Sequence, residues 1–163
     1  MLVKCYASAV QGITADTVTI EVDISQGINF FLVGLPDSAV KESQRRIESA
    51  LRSAGFEIAK KRIVINMAPA DIRKEGSAYD LPLAICILAA SGILNTDNLD
   101  RYIIMGELSL DGNIENVKGV LPMAINAHEQ GFRGIILPAI NAPEAAMVEG
   151  LEVYGLRNIS EVV

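Results

Sequence analysis

The sequence predicts an α/β domain of the α+β kind, with helices packed on one mixed β-sheet. Three observations carry this: strands of period two come first, helices and strands alternate afterwards, and half of the 163 residues are hydrophobic with no internal repeat or linker between them. Strands followed by alternation is the order of a mixed sheet with helices laid on it. A chain of this length and apolar content buries one sizeable core, so a single domain over 1–163 is expected.

The first strand is signalled by Val3, Cys5 and Ala7, and a firmer second one by Val18, Ile20, Val22 and Ile24 alternating with Thr19, Glu21 and Asp23. A third, Asn29 to Val33, follows the Gly27 turn, and the three together suggest an antiparallel meander. Gly34-Leu35-Pro36-Asp37 stops it, and Asp37 or Ser38 can cap a helix whose apolar stripe is Val40, Ile47, Ala50, Leu51 and Ala54, ended by Gly55. Ile63 to Met67 is too apolar for an exposed hairpin arm and predicts a central strand buried on both faces. Asp80 to Ala90 is an almost wholly apolar helix, with Pro82 tolerable in its first turn and Asp71 or Asp80 as its expected cap. Tyr102 to Met105 predicts a strand, and Glu107 to Val117 a hairpin around Asp111-Gly112. A helix from about Gly119 to Gln130, a strand Gly134 to Leu137, a short helix after Pro143, a strand Leu151 to Tyr154 and a helical start at Asn158 complete the chain.

Composition narrows the function. No apolar run approaches the ~18 residues of a membrane span, and Met1-Leu2-Val3-Lys4 does not open a secretory signal. Two cysteines, Cys5 and Cys86, are too few for a four-ligand metal site and sit in apolar segments, so buried reduced thiols and a cytoplasmic setting are expected. Aromatics are 5% with no Trp, which disfavours a base-stacking platform. The net charge of -6 hides an asymmetry: Lys41, Arg45, Arg46, Arg52, Lys60, Lys61, Arg62, Arg73 and Lys74 face only four acids between Lys41 and Lys74. That segment is +5 and the remainder -11, which suits a basic surface meeting DNA or an acidic protein face.

Candidate chemistry is sparse. No G-x-x-x-x-G-K-[ST] or G-x-G-x-x-G string is present, so neither a phosphate-cradling loop nor a dinucleotide fingerprint is found. His128 has no partner at metal-ligand spacing, and Glu107 with Asp111 is explained by the hairpin without an ion. Pro69 to Pro82 places Ser77 at the start of the buried helix, where backbone N–H groups could meet a developing oxyanion. With one histidine and no triad, Ser–Lys chemistry is the enzymatic option.

Gly34-Leu35-Pro36-Asp37-Ser38-Ala39-Val40-Lys41-Glu42-Ser43, Asn66-Met67-Ala68-Pro69-Ala70-Asp71, Lys74-Glu75-Gly76-Ser77 and Asp80-Leu81-Pro82-Leu83-Ala84 are long contiguous motifs. With them the chain resembles the N-terminal domain of magnesium-chelatase-like AAA+ proteins of the YifB/ComM group. The resemblance implies a Lon-protease-like fold related to domain 2 of ribosomal protein S5, followed by an AAA+ module that would hold ATP and Mg. It implies no cofactor or metal for this chain. It also implies a parent that is a hexameric, ATP-driven DNA helicase promoting branch migration in natural transformation, with the domain's partners being its own AAA+ module, neighbouring subunits and possibly DNA, and no membrane.

The resemblance also implies a loss. Laying the Lon strings Lys-Asp-Gly-Pro-Ser-Ala-Gly and Gly-Glu-(apolar)-Thr-Leu-x-Gly on Lys74 to Ala78 and on Gly106 to Gly112 puts the nucleophile at Ala78 and its lysine at Leu121. A displaced pair, Ser77 with Lys118, would need hydrogen-bond reach of about 3 Å. The expectation is a non-catalytic domain supporting ring assembly or DNA engagement; the alternatives are a degenerate Ser–Lys peptidase and a pure oligomerisation or partner-docking module.

Overall fold

The structure is a computed structural model and describes residues 1–58 and 60–163. Its frame is a seven-stranded mixed sheet in the order β3-β4-β2-β1-β5-β8-β9, with a two-stranded hairpin, β6 and β7, beside it. The long pair β1 (Leu2–Gln11) and β2 (Thr14–Ser25) forms its antiparallel centre around the Gly12 turn. Val3, Cys5, Ala7 and Ala9 of β1 and Val18, Ile20 and Val22 of β2 are buried, as the period-two pattern requires.

The expected meander is not formed. β3 (Phe30–Val33) does not pair with β2; it lies at the edge, parallel to β4 (Arg62–Ala68), which inserts between them. The reason is the helical crossover α1 (Ser38–Lys41) and α2 (Ser43–Ser53): a parallel pair needs such a connection, while a hairpin does not. Asp37 caps α1 by accepting the Val40 N–H at 2.8 Å, but the expected single helix is broken at Glu42. β4 is interior and paired on both sides, yet Val64 and Asn66 are half-buried instead of sealed, because no helix covers that end of the sheet's second face.

α3 (Asp80–Ala90) has every residue buried, packed against β1, β2 and α2. Cys86 on α3 donates its thiol toward the Val3 carbonyl, and both cysteines are buried and free. The Cys86 hydrogen bond, with burial, holds the Cys5 thiol well above its ordinary value. β5 (Tyr102–Ile104), the hairpin β6 (Glu107–Leu108) and β7 (Ile114–Glu115), α4 (Val120–Glu129), β8 (Gly134–Pro138), α5 (Ala142–Ala145) and β9 (Glu152–Leu156) follow as the pattern predicts. A short 3-10 turn, Leu99–Arg101, was not signalled, and the tail closes in another at Ile159–Val162, capped by Asn158. α4 lies over the far end of the second face, where Asn126 bonds Thr17 and Gly119 abuts Val10. Among the described residues no helix is long and apolar enough to cross a membrane.

Candidate functional site

The site is the junction where the Pro69–Tyr79 loop enters α3. Burying a carboxylate at the head of an apolar helix is costly unless it is paired and hydrogen-bonded. Asp80 is fully buried and accepts four hydrogen bonds from three residues. Arg46 of α2 grips it with Nε to Oδ2 at 2.7 Å and Nη2 to Oδ1 at 3.0 Å; the Ser43 hydroxyl donates to Oδ1 at 2.6 Å and the Leu108 N–H to Oδ2 at 3.1 Å. Burial pushes the Asp80 carboxyl above the usual range, and Arg46, Ser43 and Leu108 draw it back. The hydrogen bond to Asp80 strengthens the hold of Arg46 on its proton, with Glu107 and Glu42 adding to it. Asp80 is therefore an anchor joining α2, α3 and the hairpin, not the helix cap expected of it; Tyr79 takes the cap position without a side-chain bond.

Ser77 donates its hydroxyl proton to Glu107 Oε2 at 2.5 Å, so its partner is a carboxylate and not an ammonium. Lys118 is exposed, ahead of the first turn of α4, and among the described residues no serine hydroxyl bonds a lysine. Ala78 and Leu121 occupy the positions inferred for the Lon nucleophile and lysine, and neither side chain bears a reactive group. Two backbone donors of the first turn are already paired: Asp80 N–H donates to Ser77 O at 3.2 Å and Leu81 N–H to Gly106 O at 2.9 Å, while Pro82 has none. Gly106 N–H returns a bond to Ala78 O at 2.8 Å, closing the hairpin against the helix entrance.

A second anchor was misread as surface charge. Lys74 is fully buried, and its ammonium donates to the carbonyls of Gly34, at 2.6 Å, and Pro69. Burial lowers its pKa, partly offset by Asp71. The backbone repeats the tie: Lys74 N–H donates to Leu35 O, Asp37 N–H to Lys74 O, and Gly76 N–H to Asp37 Oδ2. Of the nine cations, Lys74 and Arg46 are thus internal fasteners, and Arg73 pairs with Glu75 at 3.1 Å. Lys41, Arg45, Arg52, Lys60, Lys61 and Arg62 are exposed. Arg45 and Arg52 lie seven residues apart on one stripe of α2, opposite buried Ile47, Ala50 and Leu51, and Lys41 ends α1.

Glu107 and Asp111 do not converge: Glu107 receives Ser77 while Asp111 receives Ser109 and Asn113 within its own turn. Among the described residues no group of three or more His, Cys, Asp and Glu could hold a metal ion. His128 is exposed on α4. The Asp80–Arg46 anchor was missed in the sequence; its only signal was a lone acid leading an apolar helix.

The fold defines a Lon-like domain. The family described as subunit ChlI of Mg-chelatase matches residues 20–141, and the chain belongs to it. It is 45% identical to competence protein ComM of Haemophilus influenzae over 97% of this chain and 31% of that protein. It is 42% identical to YifB of Escherichia coli over 89% of this chain and 29% of that protein. Lon protease 2 of Bacillus subtilis is 27% identical over 77% of this chain and 22% of its own length, in keeping with the Lon-like architecture. The chain spans about a third of the length of the curated relatives it matches.

Proposed function

We propose that the chain is a non-catalytic N-terminal domain of a larger magnesium-chelatase-like AAA+ ATPase, and that it engages DNA while the ATPase module, with ATP and Mg, does the work. The observation that carries the first part is the closed helix entrance: the Ser77 hydroxyl is committed to Glu107, and the Asp80 and Leu81 N–H groups are committed to carbonyls. A Ser–Lys peptidase needs that hydroxyl coupled to a lysine, and among the described residues no lysine bonds Ser77. The similarity to ComM supports a parent acting as a hexameric branch-migration helicase in the cytoplasm, with neighbouring subunits as partners.

The DNA surface is the exposed set Lys41, Arg45, Arg52, Lys60, Lys61 and Arg62, which excludes Arg46, Arg73 and Lys74 from the original nine. Binding is expected to be sequence-independent and steeply salt-sensitive, each neutralised phosphate adding about 0.9 to the slope of log affinity against log salt. Duplex binding is measured against salt for the chain and for a variant with all six replaced by Ala. Unchanged affinity, or no binding at low salt, removes the DNA role. A fluorophosphonate probe tests the peptidase alternative: labelling at Ser77 would overturn the non-catalytic reading.

A further inference from the structure

Strand β3 is one of the sheet's two edges, β9 being the other, and among the described residues no strand pairs with its outer side. Ile63 N–H donates to Asn29 O at 2.8 Å, and in a parallel ladder alternate residues turn their backbone groups to the same neighbour. Phe31 and Val33 therefore face β4 with their backbones, while Phe30 and Leu32 turn N–H and C=O outward. On one side of this edge, between α2 and β3, is a groove of about 960 Å³ floored by Phe30, Ile47, Leu51, Ile58 and Ile63. On the other side a ridge continues the strand: Phe31 is 43% exposed, Val33 49% and Leu35 52%. An open backbone edge flanked by apolar surface is a template for strand addition.

The ridge is built, not loose. Leu35 has φ 62, unfavourable for a residue with a side chain, and is held there by the Lys74 fastenings on either side. Gly34 beneath it has φ +107, and an added Cβ would lie 2.1 Å from the Met67 carbonyl oxygen. At the head of the edge stand Lys60, Lys61 and Arg62, all exposed and, among the described residues, with no carboxylate within 4.0 Å. Arg62 lies over the Phe31 ring at 5.5 Å, joining the charge to the ridge.

We propose that the β3 edge docks an extended acidic segment of a protein, which adds as a further strand, lays alternate apolar side chains into the groove and sets carboxylates against Lys60, Lys61 and Arg62. Free backbone groups select a strand over a helix. They also select a polypeptide over nucleic acid, which has no amide ladder to offer and would find one exposed aromatic ring here. The three unpaired cations select acidic over neutral sequence. The inference rests on other observations than the DNA reading but shares Lys60, Lys61 and Arg62 with it, so the two ligands would compete there while Lys41, Arg45 and Arg52 are left to DNA alone.

The test uses the 163-residue chain and a fluorescein-labelled peptide, Glu-Val-Asp-Ile-Glu-Val-Asp-Ile, by fluorescence anisotropy. Two N-methylated versions carry the methyls on alternate residues, one set on odd and one on even positions. Saturable binding is expected, lost by about tenfold or more for one methylated version and kept for the other, because only one set of N–H groups meets β3. Charge reversal by Lys60→Glu with Lys61→Glu is expected to weaken it by a similar factor. No binding, or equal behaviour of the two methylated peptides, overturns the proposal. Displacement by an oligothymidylate of equal charge together with equal behaviour of the two methylated peptides assigns the edge to nucleic acid instead, and peptide-sensitive dimerisation in sedimentation assigns it to a second copy.

Discussion

The entrance to α3 and the β3 edge are both rich in polar groups, yet they treat them oppositely. At the entrance each charge is consumed internally: Asp80 by Arg46, Ser43 and Leu108, Lys74 by two carbonyls, Ser77 by Glu107. At the edge, Lys60, Lys61 and Arg62 and the outward backbone of Phe30 and Leu32 are unspent among the described residues. The corner that carries the Lon-like motifs fastens α2, α3 and the hairpin together, while the rim leaves its charges and backbone groups to solvent.

This contrast can be broken by substitution, beginning with its strongest joint. Arg46→Ala leaves a buried carboxylate without its cation and is expected to cost about 3–5 kcal/mol, read from urea unfolding. A loss below about 1 kcal/mol would mean that Asp80 is not the anchor described. Ser77→Ala removes a hydrogen bond to a charged acceptor and should cost about 1.5–3 kcal/mol at most, less to the extent that the half-buried site is wetted, with no change in peptide hydrolysis. Any drop in hydrolysis on this change would reopen the catalytic reading.

Lys74 sharpens the contrast by its pH dependence. Its folded pKa is lowered, so between that value and the ordinary lysine value the unfolded chain binds more protons and stability rises with pH. The rise should be visible as pH increases toward about 10, where tyrosines begin to ionise, and should vanish in Lys74→Met. A slope that survives in the variant would assign the effect elsewhere. Smallest of all, Arg62→Ala should cost about 0.5–1 kcal/mol through its lost contact with the Phe31 ring, and Lys60→Ala and Lys61→Ala should each change stability by no more than about 0.5 kcal/mol.

Much of the fold was legible in the sequence because it depends on local pattern. The limits of α3 follow from an unbroken apolar run ending at Ser91, and the cap of α1 follows from Asp37. Strand order was not legible: whether Asn29–Val33 folds back on β2 or crosses over to lie beside β4 depends on how α2 packs, which no period reports. The candidate site was half legible. The motif around Lys74 to Ala78 pointed to the corner where the Asp80 and Lys74 anchors lie, but charge counted along the chain says nothing of depth, so Arg46 and Lys74 were grouped with cations that face water. The β3 edge gave no signal at all, because Phe31, Val33 and Leu35 look like any strand's apolar half until the neighbour is seen to be absent.

One further consequence belongs to α3, whose eleven residues turn no face to solvent. Such a helix has no partial unfolding of its own: to wet any turn, the sheet on one side or α2 on another must first lift away. Its amide hydrogens should therefore exchange with deuterium only through opening of the whole domain and report global stability directly, while those of β3 should exchange through small local excursions.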